Sequence, residues 1–543
     1  WWASAMGWVG AIAAAGLPPL LLYLSLYAGV FFVLARRAAR AFGPVAGVAV
    51  LPVLWCGVEL LRGEIVFDGF AWYYLGHPFI EGGSIASWPG RIGGVWLVSF
   101  LSACCSTAVV GVLLGTRRLE WVGVLACVLA GWLVPGVLVY RGAPAAPGAA
   151  GPEDGSKEVA GLRIGVVQTN VPQHTKGSWD PEERVARLLE FLDATSSAAQ
   201  FPSTEPSAVV LWPESMFPGI GLEPDAIGAA QAKNVVWWIE GMGEGENPVT
   251  PLPVWLLAEE LLAFQAGLGV PLLIGATAFE RPVYVDVLPD GGAGDSEPGL
   301  ELQDEGRFNS VIRIESGATR ERYDKLRLTP FGEVMPYISL IEPLEQALAA
   351  FGPRNMKFNL AAGDASTTFD IETPAGDIAR IITPICFEIT DTRVCRRLVR
   401  AGVEAGGNII LANVTNDAWF GAWPGARRDH LLMARWRCVE FDAPLVRAAN
   451  SGISGFVDRW GMPRGLAPER EAAVLRSVVE PGTGATPYAQ WGWMMRWICL
   501  GLAAVVATGA FLRRTPQNPH EHPAADAVPA DSGAARDDLP KSA

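Results

Sequence analysis

Three short stretches of this sequence carry side chains that could share one reaction. Glu214 lies in LWPES, Lys325 in RYDKLRLTPFGEVMP and Cys386 in ITPICFEIT. A free thiol is only a few per cent ionised at neutral pH, so a nucleophilic cysteine needs a base within hydrogen-bond reach and benefits from a cationic neighbour. A carboxylate, an ammonium and a thiol are therefore sufficient parts for covalent acyl transfer: Glu214 takes the proton, Cys386 attacks, and Lys325 stays charged against the developing oxyanion. A Ser-His-Asp mechanism is excluded on composition. The central region has only His174 and His430, and no G-x-S-x-G turn surrounds a serine. His430, in RRDHLLMAR, is expected to be structural or near the substrate.

Those stretches must be positioned by regular structure, and the pattern around them is legible. Gly161 to Val171, Ala208 to Trp212, Val270 to Ala276, Phe308 to Ile314, Ile378 to Ile385 and Asn408 to Asn413 are short, β-branched runs that read as buried strands. Helical patterns lie between them at Pro181 to Thr195, Val254 to Ala266 and Arg393 to Ala405. The alternation predicts an α/β layered domain, with Glu214 and Cys386 each just past a strand. Two segments read as insertions: the acidic Asp286 to Gly306, expected to be a solvated loop, and Phe217 to Pro253, whose apolar patch Val235 to Ile239 could rest on a membrane surface.

Half of the 543 residues are hydrophobic and 18% are charged, too apolar a balance for a soluble enzyme of this length. The excess lies in runs at Leu17 to Leu34, Val45 to Leu61, Val95 to Leu114, Trp121 to Tyr140 and Trp491 to Leu512. Each is close to the ~20 residues that cross a bilayer. Arg36, Arg37 and Arg40, then Arg117 and Arg118, then Arg513 and Arg514 mark alternate boundaries as cytoplasmic, which places the Arg62 to Arg91 loop and the central domain outside. Residues 1–141 are thus expected to be membrane helices, 142–158 a Gly/Pro/Ala linker, 159–488 the catalytic domain, 489–514 a last membrane helix and 515–543 a disordered cytoplasmic tail. The start at Trp1 suggests that N-terminal sequence is missing, and no cleavable signal peptide is expected.

The net charge of −14 argues against nucleic acid as a partner. Cys386, Cys395 and Cys438 fall in the central domain, and an odd number leaves at least one thiol unpaired. His520-Glu521-His522 in the tail lacks a complete ligand set, so no metal is expected.

Taken with their flanks, the three motifs resemble the nitrilase, or carbon-nitrogen hydrolase, superfamily. The arrangement of spans and domain resembles the apolipoprotein N-acyltransferase family, through LYLSLYAGVF, LRGEIVFDGFAWYYLGH, VVQTNVPQ, LWPES, KLRLTPFGE, ICFE, TNDAWFG, HLLMARWRCVE, RAANSGISGFVDRWG and TGATPYAQWG. The resemblance implies a nitrilase-like α-β-β-α sandwich on an α-helical transmembrane bundle. It makes Cys386 the nucleophile, Glu214 the general base and Lys325 the oxyanion stabiliser, helped by the backbone N–H of Phe387. Glu333 and Glu388 match supporting acidic positions, and Trp179 and Trp419 match aromatic positions near the substrate. Phe387 stands where the family often has tyrosine, so a role for that hydroxyl does not carry over. The implied reaction takes an acyl chain from a phospholipid, through a thioester, to the α-amine of a diacylglyceryl-cysteine on a lipoprotein, in the bacterial inner membrane, with no cofactor and a monomeric enzyme. A membrane-tethered amidase of the same superfamily and a non-catalytic lipid- or lipoprotein-binding protein are the two rival expectations.

Overall fold

The computed structural model describes residues 2–12, 14–115, 117–142, 161–172, 179–201, 206–240, 249–287, 299–330, 332–334 and 360–513. The expected linker and tail, with His520 and His522, fall outside these residues, as does His174. Among the described residues, four helices are long and apolar enough to cross a membrane: Leu17–Ala49, Gly90–Leu113, Arg118–Arg141 and Pro487–Leu512. The second expected span, Val45 to Leu61, is not one uninterrupted helix. Gly43, at φ +80° and ψ 174°, breaks the first long helix ahead of Pro44, and a ten-residue helix begins at Leu51 with Pro52 in its first turn. Val50 between the two pieces keeps helical angles, so the apolar run continues as a jointed helix rather than a straight one. Its Leu54, Cys56, Val58 and Leu60 are buried against the other membrane helices.

Among the described residues the domain has sixteen strands: β1 (Leu162–Gln168), β2 (Val209–Leu211), β3 (Val236–Glu240), β4 (Val249–Pro253), β5 (Leu272–Glu280), β6 (Val283–Val287), β7 (Gly299–Gln303), β8 (Gly306–Glu315), β9 (Ala318–Asp324), β10 (Phe369–Glu372), β11 (Ile378–Ile382), β12 (Ile409–Thr415), β13 (Leu445–Ala449), β14 (Gly455–Val457), β15 (Pro463–Leu466) and β16 (Ala473–Val479). Two six-stranded sheets form, ordered β16-β1-β2-β5-β8-β9 and β10-β11-β12-β13-β14-β15. In the first, β1, β2 and β5 are parallel; in the second, β11, β12 and β13 are.

Strand alternation sorts the core into layers. Leu162, Ile164, Val166, Val209, Leu211 and Leu273 share the inner core with Ile381, Leu411 and Val446 of the other sheet. The alternate residues Val167, Val210, Leu272 and Ile274 face outward against Leu188 and Phe191 of helix Pro181–Ala199 and Leu257 and Leu261 of helix Leu256–Leu268. Helices Thr392–Glu404 and Pro424–Phe441 pack on the second sheet. The order is therefore α-β-β-α, as expected. Asp180 caps the helix that starts at Pro181, its carboxylate accepting from the Glu183 N–H at 2.7 Å.

The two insertions are more regular than expected. The acidic one begins and ends as the antiparallel hairpin β6–β7, where a solvated loop was predicted, because β-branched and apolar residues alternate on both arms. Phe217 to Pro253 holds a helix, Pro224–Ala232, and the hairpin β3–β4. In its apolar patch Ile239 is buried, Trp237 lies under the Arg184 guanidinium, and Trp238 is exposed.

The membrane part and the domain are in close contact. The Val95 N–H donates to Glu440 at 2.9 Å, Trp436 donates to the His77 carbonyl at 2.9 Å, and Arg91 pairs with Asp442 at 2.7 Å. The loop after Leu61 and the domain therefore lie on the same side of the bundle.

Candidate active site

All three sequence-predicted groups arrive at the carboxyl ends of strands, between the two sheets. Glu214 follows β2 after Trp212 and Pro213. Its backbone crosses β5 so closely that a Cβ on Gly275 would sit 2.1 Å from the Pro213 carbonyl oxygen, which is why that strand position has no side chain. Lys325 follows β9 directly, and Cys386 opens a short helical turn, Cys386–Thr390, just past β11. Cys386 adopts φ +49°, a left-handed conformation that costs a non-glycine residue about 1–3 kcal/mol and persists only where its surroundings impose it.

Glu214 and Lys325 meet directly. Lys325 Nζ lies 3.5 Å from Glu214 Oε1 and 2.8 Å from Glu333 Oε2, and donates to the Thr329 hydroxyl at 3.2 Å. The side chain is wholly buried. Burial works against its charge, but Glu333 and Glu214 outweigh it and hold the ammonium well above the usual lysine value. Lys325 is thus a permanent cation here. Glu333 is lowered in return: burial would raise it, and Lys325 with the Thr329 N–H pulls it below the ordinary carboxylate range. Asn309, on β8, bridges the two acids by donating to Glu214 Oε1 and to Glu333 Oε1, each at 2.7 Å. Across the gap between sheets, the Asn416 N–H donates to Glu214 Oε2 at 2.8 Å. Both carboxylate oxygens of Glu214 are therefore fixed, one by each sheet.

The thiol completes the group. Burial first, and then the Glu214 charge, push Cys386 well above the usual thiol value, against Lys325 and a hydrogen bond with Thr415. A thiol so placed stays protonated until a base takes the proton. Cys386, Cys395 and Cys438 are all free.

Glu388, two residues on, is fully buried and works on the backbone. Its carboxylate accepts from the N–H groups of Leu326 at 2.7 Å, Arg327 at 2.9 Å and Ile385 at 2.8 Å, and from the Tyr323 hydroxyl at 2.9 Å. It ties the lysine segment to the cysteine turn. Burial pushes its carboxyl up to about 7 despite the pull of Lys325 and of these donors. Phe387 is half-buried beneath the Arg327 guanidinium, 5.5 Å from the ring centre. Arg327 also bonds Asp391 and the Asp68 carbonyl, which anchors the lysine segment to the loop leaving the membrane bundle.

The two predicted aromatic positions differ. Trp419 is half-buried in the turn Asp417–Phe420 that follows β12. Trp179 is buried in the outer core with Met216 and Phe217, just after Glu214, and its indole N–H has no partner among the described residues.

Sequence reasoning assigned no role to Asn309, Asn413, Thr415, Asn416, Asp417 or Arg447. All six are buried. Asp417 Oδ1 lies 3.0 Å from His430 Nδ1, its Oδ2 accepts from Arg447 at 2.7 Å, and Arg447 also bonds the Asn413 side chain. Burial would raise the Asp417 carboxyl, but Arg447 and His430 outweigh it and hold it well below the ordinary range. A polar residue inside an otherwise apolar strand, as in FNSVIRI or LVRAA, is the signal that could have found Asn309 and Arg447.

Fold and site together define a membrane-embedded α-β-β-α protein with a glutamate, a lysine and a cysteine converging between its sheets. Residues 1–108 match the family described as apolipoprotein N-acyltransferase N-terminal domain. Most of the chain is similar to the apolipoprotein N-acyltransferase of Geobacter metallireducens, 29% identical over 91% of this chain and 80% of that one. It is likewise 29% identical to that of Azotobacter vinelandii, over 94% of this chain and 83% of the relative. Among solved structures, a Nesterenkonia amidase of the nitrilase superfamily aligns at 15% identity and a TM-score of 0.36, covering 61% of this chain and 95% of the amidase. By sequence the chain is similar to the apolipoprotein N-acyltransferases over most of its length, and it is an acyltransferase.

Proposed function

We propose that this enzyme moves an acyl chain from a phospholipid to the N-terminal amine of a diacylglyceryl-cysteine on an apolipoprotein, with Cys386 carrying the chain as a thioester. The observation that carries this reading is the fixed contact of Glu214 with Lys325, with the half-buried Cys386, whose thiol burial and the Glu214 charge hold above its usual value, completing the group.

Glu214 takes the Sγ proton as Cys386 attacks the ester carbonyl. A C–S bond forms, the carbonyl oxygen becomes an oxyanion facing Lys325 and the Phe387 N–H, and the C–O bond then breaks. The leaving alkoxide of the lysophospholipid takes the proton from Glu214. In the second half-reaction Glu214 accepts a proton from the incoming amine, a C–N bond forms, the C–S bond breaks, and the thiolate recovers the proton. Glu333 holds the ammonium of Lys325, and Glu388 fixes the backbone around the nucleophile. Trp179 and Trp419 are proposed to contact substrate.

Residues 159–488 would form the catalytic domain and 489–514 the last crossing. The arginine pattern at alternate span boundaries supports placing the domain on the extracytoplasmic face of the inner membrane. Its contact with the loop after Leu61 agrees with both being on one side.

The test is to give the purified full-length protein phospholipid together with a diacylglyceryl-cysteine peptide. N-acylated peptide in amounts matching lysophospholipid is expected. Free fatty acid released in the presence of acceptor would favour the membrane-tethered amidase, and no turnover of either lipid would favour the non-catalytic binding protein.

A further inference from the structure

We infer that His430, seated on Asp417, is a positioning residue for the oxyanion hole: by holding the carbonyl of Cys386 it aims the N–H of Phe387 at the acyl oxygen. This rests on Cys386 being the nucleophile. His430 Nε2 lies 3.2 Å from the backbone carbonyl oxygen of Cys386. A carbonyl can only accept, so Nε2 carries a hydrogen. Nδ1 then faces Asp417 at 3.0 Å and Arg447 at 3.1 Å, and whichever of these it engages, Nε2 remains the donor to Cys386.

The consequence follows from peptide geometry. No cis peptide occurs among the described residues, so the Cys386 carbonyl and the Phe387 N–H lie in one plane and point in opposite directions. Fixing the carbonyl fixes the N–H. Asn413 adds a second donor to the same oxygen at 3.5 Å while donating to the Pro384 carbonyl at 2.8 Å, so the plane is held from two sides. Donors on a carbonyl also polarise its peptide and strengthen the N–H as a donor in turn. The left-handed Cys386 makes this anchoring necessary, because its φ of +49° is a conformation the residue would leave if its carbonyl were free.

The imidazole itself cannot swing. Trp72, from the loop leaving the membrane bundle, stacks on it with ring centres 6.1 Å apart and planes 27° apart, and Phe420 meets it edge-on at 5.8 Å. Behind it Asp417 has no room to move, since a Cβ on Gly452 would lie 2.1 Å from its Oδ2. His430 does not touch the reacting atoms in this arrangement; it acts through the peptide that does.

Two reactions of the same thiol separate this role from simple support. Acylation by phospholipid passes through an oxyanion, whereas alkylation by iodoacetamide needs the thiolate but makes no tetrahedral centre. In full-length protein, His430→Leu should slow single-turnover acylation of Cys386 by about 10- to 100-fold, less than the 100- to 1,000-fold typical of deleting an oxyanion donor because the N–H remains but is no longer aimed. Alkylation of Cys386 should stay near the wild-type rate. His430→Gln, which can return an amide N–H to the same carbonyl, should recover part of the acylation rate; if the leucine variant fails to fold, the ratio of the two rates in the glutamine variant decides. Equal slowing of both reactions, or no slowing of either, would overturn the proposal, as would a glutamine variant as slow as the leucine one. Failure of the underlying reading looks different: wild-type protein would then carry no acyl group on Cys386, and prior alkylation would leave turnover intact.

Discussion

The two sheets bring unlike halves to one site. The first supplies a cluster of charged and amide groups: Glu214 after β2, Asn309 on β8 and Lys325 after β9. The second supplies the proposed nucleophile and a rigid frame around its backbone: Cys386 after β11, then Asn413, Thr415, Asn416 and Asp417 from the end of β12, with Arg447 on β13 behind them. The first half has an ammonium shared between two carboxylates, an arrangement whose worth appears when negative charge develops on a substrate. The second half is a closed hydrogen-bond network whose worth lies in keeping a left-handed cysteine in place. Lys325 and its two carboxylates come from one layer, and the side chains that hold the backbone of Cys386 come from the other.

That division predicts different damage from each half. The largest effect is expected in the charge-handling half. Lys325→Met should form the Cys386 thioester about 100- to 1,000-fold more slowly in single turnover while still binding phospholipid, because the ammonium is needed only around the tetrahedral intermediates. Lys325→Arg should not restore the rate, since a planar fork does not fit a site shaped around a point charge 2.8 Å from Glu333. Near-normal thioester formation in Lys325→Met would erase the distinction between the halves.

In the frame half the main loss should be stability, with a rate effect no larger than that of the His430 variants. Asp417→Asn leaves the buried Arg447 without its carboxylate, and removing one partner of a buried pair typically costs about 3–5 kcal/mol. The sign with pH follows from the depressed carboxyl: the wild-type advantage is fully present above the unfolded aspartate value of about 3.9 and is lost as pH falls through the lower folded value. Thermal unfolding midpoints of wild type and Asp417→Asn should therefore differ by a constant amount from neutral pH down to about pH 4 and converge below it. A gap that instead widened toward acid would contradict the assignment of that charge.

The same division explains what could be read from the chain. Glu214, Lys325 and Cys386 sit in short segments at strand ends, where residue type made them candidates and the resemblance of their flanking motifs picked them out together. A layered α/β domain was legible too, because helical and β periodicities alternate along it, while the α-β-β-α order was implied by the resemblance. Arg447 and Asp417 were not, since their meaning depends on contacts 30 residues apart in sequence that only the packed second sheet creates. His430 was read as structural or substrate-adjacent, and the structure adds what it holds. The jointed second membrane helix was missed because hydropathy reports composition along Val45 to Leu61 and is blind to the left-handed break at Gly43. The β6–β7 hairpin was hidden by an acidic, glycine-rich stretch whose flanking residues pair only when brought together.

The central claim is that Cys386 carries the acyl chain, and mass spectrometry of the intact chemistry tests it most directly. Full-length protein incubated with phospholipid and no acceptor should gain one acyl mass on the peptide containing Cys386. That mass should be released by hydroxylamine or by a diacylglyceryl-cysteine peptide, and it should be absent from Cys386→Ala. An acyl group on another residue, or normal peptide acylation by Cys386→Ala, would contradict the account.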